Sequence, residues 1–101
     1  MEKWKRASEA FDQLGSEWRL RVLYTLHTEG ELRFNELKRE TDASSRTLSR
    51  VLDDLQDHGL IERRLEEDAP VATYYSETAK AESLCPIFQA VDSWASEWIT
   101  V

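Results

Sequence analysis

Leu48, Val51, Leu52 and Leu55 recur at i, i+3, i+4 and i+7, which predicts a helix over about residues 45–58 with one apolar stripe. Ser44 or Ser45 offers an oxygen to cap its N-terminus, and Gly59 supplies a left-handed stop. Upstream, Trp4, Ala7, Phe11 and Leu14 form a heptad-like stripe, predicting an amphipathic helix over 4–14 that ends at Gly15. Ser16 then caps a second helix, buried through Trp18, Val22, Leu23 and Leu26, and Gly30 ends the connection. Arg19 stands three positions after that cap, where a capping box carries Glu. Leu32 and Phe34 suit a small strand, Asn35 caps a short helix Glu36–Glu40 with Leu37 inward, and Thr41-Asp42-Ala43 makes a turn.

After Gly59 the apolar period changes from 3.6 to 2. Ile61, Arg63 and Leu65 alternate with Glu62, Arg64 and Glu66; Val71, Thr73 and Tyr75 alternate with Ala72, Tyr74 and Ser76. Two such runs around a polar turn with Pro70 predict a β-hairpin over 60–76 whose loop is longer than two residues. From Thr78 the helical period returns through Leu84, Ile87, Phe88, Val91, Trp94 or Ala95, and Trp98, a helical region over 78–99. Pro86 either kinks it or begins a new helix. Helix, helix, small strand, helix, helix, hairpin, helix is the order of a winged helix-turn-helix. The expected fold is therefore mainly α with a small β-hairpin wing, one domain over 1–101 with its core in 16–76.

The polar face of the 45–58 helix changes the picture from fold to function. Its N-terminal half carries Ser44, Ser45, Arg46, Thr47, Ser49 and Arg50; its C-terminal half carries Asp53 and Asp57. The helix macrodipole favours the opposite order, with anions first and cations last. A local rule broken in this direction is expected where function intrudes, and it suits a helix whose N-terminal end enters a DNA groove. Arg46 and Arg50, one turn apart, match bidentate contacts to guanine O6 and N7, and the hydroxyls can donate to phosphates as well as cap. Arg33, Asn35 and Lys38 would face backbone phosphates from the preceding helix. Arg63 and Arg64 fall on opposite faces of the wing, so one of the two is expected on DNA; the acidic tip, Glu66-Glu67-Asp68, argues against deep minor-groove insertion.

The net charge of −7 argues at first against a nucleic-acid partner. Its distribution softens the objection, because from Arg33 to Arg64 seven basic residues balance seven acidic ones, and the excess lies elsewhere. Arg outnumbers Lys nine to four, and few lysines among many carboxylates fit a protein kept soluble in concentrated salt; a halophilic archaeon is the expected source. No apolar run reaches membrane-spanning length, and the start lacks a charged-then-apolar leader, so a cytoplasmic location is expected. The single Cys85 precludes an internal disulfide.

No metal, cofactor or catalytic role is expected. His27, His58 and Cys85 lack metal-ligand spacing, and no nucleophile–base pair or phosphate loop is present, which speaks against an enzyme. Trp4, Phe11, Ile87, Phe88, Val91, Trp94 and Trp98 are more large apolar groups than the terminal helices of so small a domain can hide. They are expected to form a two-fold homodimer interface, as suits a reader of two half-sites on double-stranded DNA.

The combination of Gly15-x-x-Trp18, Arg33-Phe34-Asn35-Glu36-Leu37, Thr47-Leu48-Ser49-Arg50-x-Leu52-x-x-Leu55 and Gly59-Leu60-Ile61-x-Arg63 resembles the HxlR-type transcriptional regulators of the MarR/ArsR-like superfamily. Pro70, Tyr74-Tyr75-Ser76-Glu77-Thr78 and Leu84-Cys85-Pro86-Ile87 through Trp94 extend the match over roughly residues 11–98. The resemblance implies dimeric winged-helix DNA-binding proteins that repress or activate transcription, often of neighbouring genes. It also implies, for some members, redox sensing at a cysteine before the first core helix, and this chain has none there. Glu17 stands where a basic residue is usual, Ala69-Pro70 where two prolines are, and Glu77-Thr78 where a Leu-Thr pair is. A small-molecule effector finds no support in the residues. The alternative function is a winged helix used as a protein–protein interaction module, which the acidic charge would suit.

Overall fold

Leu23, Leu37, Leu48, Leu55 and their neighbours meet in one core, and the elements are those that bring them there. The structure, a computed structural model, describes residues 3–68 and 70–101; Ala69, half of the Ala69-Pro70 pair expected at the wing tip, lies outside the described residues. The elements are α1 Lys3–Leu14, α2 Glu17–Glu29, β1 Leu32–Arg33, α3 Phe34–Thr41, α4 Ser45–Asp57, β2 Ile61–Glu66, β3 Ala72–Glu77, α5 Ala79–Glu82 and α6 Cys85–Trp98. The strands form an antiparallel sheet in the order β1-β3-β2, with Tyr75 opposite both Leu32 and Arg63. Mainly helical with a small three-stranded sheet, this is the winged helix-turn-helix expected. No helix among the described residues is long and apolar enough to cross a membrane.

The predicted stripes of α2 and α4 are the core. Val22, Leu23 and Leu26 of α2 pack with Leu48, Val51, Leu52 and Leu55 of α4, joined by Leu37 of α3 and by Leu60 and Ile61. The turn between α3 and α4 places Asp42 at φ 61°, a left-handed position that Asp tolerates better than most side chains. Gly59, at φ 70°, ends α4 in a Schellman motif: Leu60 N–H donates to the Leu55 carbonyl and Gly59 N–H to that of Gln56, each at 2.9 Å. The hydrophobic partnership that accompanies this motif is also present, since Leu55 and Leu60 are both buried.

Two expectations are corrected, and of the two roles open to Pro86 the structure takes the start of a new helix. The short helix begins at Phe34, not after an Asn35 cap: Arg33 is the N-cap, and its N–H donates to Glu36 Oε1 at 2.9 Å. That backbone hydrogen bond, followed by the Arg33 charge, holds the Glu36 carboxyl below the usual glutamate range. The region 78–99 is two helices. Thr78 caps the single turn α5, and Pro86 stands in the first turn of α6, where its missing N–H is no loss. Finally, Phe88, expected at a dimer interface, is a core residue: it is 8% exposed and stacks on Tyr24 with ring centroids 4.6 Å apart. Its periodic neighbours point the other way. Ile87, Val91, Trp94 and Trp98, at i, i+4, i+7 and i+11 of α6, are all more than half exposed.

Candidate nucleic-acid interface

At the head of α4, Ser44 Oγ accepts the Thr47 N–H at 3.1 Å and donates to Thr47 Oγ1 at 3.0 Å. Ser44 is therefore the cap, and Thr47 closes on it. Ser45, Arg46, Ser49 and Arg50 remain exposed, on the side of α4 away from its four buried residues. Neither Arg46 nor Arg50 has an ion-pair partner among the described residues. Of the two carboxylates near Arg50 on the helix, Asp54 is engaged elsewhere, its Oδ2 taking Arg19 Nη2 at 3.2 Å, and Asp53 forms no ion pair with Arg50. Ser44→Ala is expected to lower stability by about 1 kcal/mol, as for other N-cap deletions. Urea denaturation checks this, and an unchanged midpoint would show that the Ser44 bond contributes nothing.

A second group lies at the start of α3. Arg33, Phe34, Asn35, Glu36 and Arg39 line an open groove of about 440 Å³ against Val71, Ala72 and Thr73 at the beginning of β3. Arg33 and Asn35 are brought together there as expected. Lys38 is exposed beside the groove, and Arg39, one position on, lines it. The only sequence signal for this was the Lys38-Arg39 pair, whose members differ by one step around the helix.

The wing separates its two arginines. Arg64 Nη2 meets Glu31 Oε1 at 2.8 Å, Nη1 meets Glu66 Oε2 at 2.6 Å, and the guanidinium lies over the Tyr74 ring at 4.6 Å. The hydrogen bonds to Glu31 and then Glu66 raise its pKa further above an already high value, and the two carboxylates offset its charge. Arg63 shares the other sheet face with Ile61 and Tyr75, is exposed, and has no ion pair among the described residues. Arg63 is thus the wing cation left available. Arg64→Ala is expected to speed amide exchange several-fold at Leu65, Glu66, Ala72 and Thr73 while sparing Leu52 and Leu55, because it unties the outer hairpin alone. Exchange rates followed by mass spectrometry or NMR check this; unchanged wing rates would show that the ion pairs do not hold the hairpin.

The remaining titratable candidates have structural duties. His27 Nδ1 lies 3.1 Å from Glu77 Oε1, and His58 is the C-cap of α4. Cys85, half-buried at the first residue of α6, borders an open hollow of about 310 Å³ with Tyr24, His27 and Phe88. Among the described residues no group of three or more His, Cys, Asp or Glu is placed to hold a metal ion.

The whole arrangement has close counterparts. The chain matches the HxlR-like helix-turn-helix family over residues 13–101. It is 34% identical over 95 residues to the HTH-type transcriptional regulator YvaP of Bacillus subtilis, covering 93% of this chain and 87% of that one. It is 36% identical over 86 residues to an HTH-type transcriptional regulator of Methanothermobacter thermautotrophicus, covering 84% of this chain and 65% of that one. The reduced form of the transcriptional regulator YodB from B. subtilis superposes with a TM-score of 0.87 at 27% identity, over 94% of this chain and 93% of that one. A helix-turn-helix headed by exposed arginines, a short wing and this degree of likeness place the protein among transcriptional regulators rather than enzymes: the chain belongs to the HxlR-like helix-turn-helix family.

Proposed function

We propose that this chain is a sequence-specific DNA-binding regulator that acts in the cytoplasm as a homodimer, with α4 in the major groove. The observation that carries the reading is the pair Arg46 and Arg50: exposed, one turn apart, and without an ion-pair partner among the described residues, in a chain whose carboxylates outnumber its cations. In so acidic a protein an arginine left without a carboxylate is available for an outside anion or a guanine edge. Ser45 and Ser49 flank the pair as phosphate donors, and Asn35, Lys38 and Arg39 of α3 with Arg63 of the wing add backbone contacts, joined by Arg33, whose Nε lies 3.5 Å from Glu36 Oε1 and would exchange that carboxylate for a phosphate. The exposed apolar stripe of α6, with Trp4 and Phe11 of α1, supplies the surface for a two-fold partner.

The test is selection by the wild-type chain from a random-sequence duplex pool, followed by titration across KCl up to molar concentration. A two-fold-symmetric consensus is expected, with half-sites about 10 base pairs or a multiple apart. With few cations to release counterions, affinity is expected to fall with salt but to persist in molar KCl, where base contacts dominate. Equal binding to every duplex, or none, would overturn the reading and favour the protein–protein module.

A further inference from the structure

The helix α1 stands off the body of the domain: none of its residues is buried, and Leu14 at its C-terminal end packs against the core. Two cations join its last turn to the end of α4. Arg19 of α2 donates from Nη1 to the carbonyls of Asp12 and Gln13, at 2.7 and 3.2 Å, and from Nη2 to Asp54 Oδ2 at 3.2 Å. Lys80 of α5 donates from Nζ to Gln13 Oε1 at 2.9 Å and to the carbonyl of His58, the α4 C-cap, at 2.6 Å. A helix C-terminus presents unsatisfied carbonyls and the negative end of the macrodipole, so it calls for a cation in its last turn. Neither α1 nor α4 has a basic residue there. Each takes its positive charge from another element, and both cations touch both helices.

We infer that Arg19 and Lys80 are positioning residues that fix the angle between α1 and the recognition helix α4, and thereby the half-site spacing the dimer accepts. The inference rests on the proposed reading, in which α1 belongs to the two-fold interface and α4 to the groove. Both ties act at the C-terminal end of α4, away from Arg46 and Arg50, so neither cation is assigned a DNA contact. An added base pair moves one half-site by about 3.4 Å and turns it by about 35° relative to the other. Two recognition helices held rigidly to their dimer helices accept one spacing; helices free to swing accept several.

The experiment uses the full chain and duplexes carrying the selected half-sites at the natural spacing and with one or two base pairs inserted or removed. Wild type is expected to lose at least about tenfold in affinity on a one-base-pair change. Arg19→Gln combined with Lys80→Met is expected to reduce that preference to about threefold or less, with dimer mass and affinity for an isolated half-site unchanged. Lys80→Arg, whose guanidinium reaches both acceptors, keeps the wild-type profile. A wild-type profile in the double variant, or equal loss in Lys80→Arg, overturns the inference while leaving the proposed function standing. If the double variant does not fold, Lys80→Met alone, at an exposed residue, is judged by the same profile. Wild type selecting no sequence at all overturns the proposed function, and this inference with it.

Discussion

Arg46→Glu and Arg50→Glu are each expected to weaken binding to the selected DNA by at least about a hundredfold, without loss of fold or dimer. A bidentate arginine–guanine contact is worth about 1–3 kcal/mol, and reversing the charge adds repulsion from the flanking phosphates. The stability effect has the opposite sign at position 46. That residue sits in the first turn of α4, where the macrodipole disfavours a cation, and α4 has no acidic residue there. Glu at that position should stabilise the helix by about 0.3–1 kcal/mol. Arg46→Glu is thus expected to melt at the same temperature or slightly higher while failing to bind. This divergence separates a reading residue from a structural one, which would lose both together. Titration of each variant against the selected duplex, with calorimetry of the free protein, checks it. A folded variant that binds with wild-type affinity and salt dependence would remove its arginine from the interface.

The same contrast explains how much of this protein was legible in its sequence. The helix α4 was readable because its evidence is local: the Leu48–Leu55 stripe, a cap at Ser44 or Ser45 and the Gly59 stop all lie within one stretch, and the structure uses the stripe, the Ser44 cap and the stop. The hairpin was readable for the same reason. What escaped depends on partners distant in sequence or on which of two local options wins. The alternation puts Arg63 and Arg64 on opposite faces without saying which is free, and the choice is made by Glu31, 33 residues away, which holds Arg64. Asn35 is a good cap residue by type, but Glu36 reaching back to the Arg33 N–H starts α3 earlier. Phe88 belongs to the same apolar run as Ile87 and Val91, and its burial against Tyr24, more than sixty residues away, turns it inward. The Arg19 and Lys80 ties link Asp12, Gln13, Asp54 and His58, a set with no shared motif. Arg46 and Arg50 are exposed, as the polar face of the 45–58 stretch implies, while the place of Arg39 in the groove depends on β3, which no local pattern reveals.

Trp94→Glu combined with Trp98→Glu is expected to convert the protein into a folded monomer and to lower its affinity for the full operator by about a thousandfold. The two rings are 59% and 70% exposed and stand on one seam with Ile87 and Val91. Across from them on the chain, Trp4 and Phe11 are 63% and 71% exposed. A surface of this kind on a small domain is where a partner belongs, and its heptad-like spacing suits packing against another helix. Two glutamates on this seam would leave carboxylates desolvated against a partner's apolar face, a penalty that outweighs the remaining contacts. The core is untouched, because Phe88 and Ala81, not the tryptophans, carry this region inward. Helical circular dichroism should therefore survive, while sedimentation reports half the mass. Affinity for the operator falls because the second half-site is no longer delivered at the millimolar effective concentration of a linked pair. Binding to an isolated half-site should be unchanged, which distinguishes this variant from Arg50→Glu, a dimer that has lost its reading head. Phe88→Ala supplies the counterpart: it is expected to cost about 3–5 kcal/mol of stability by opening a cavity against Tyr24. A Trp94→Glu, Trp98→Glu protein that still sediments as a dimer would place the two-fold contact on another surface, and α1 and α6 would then need a different partner.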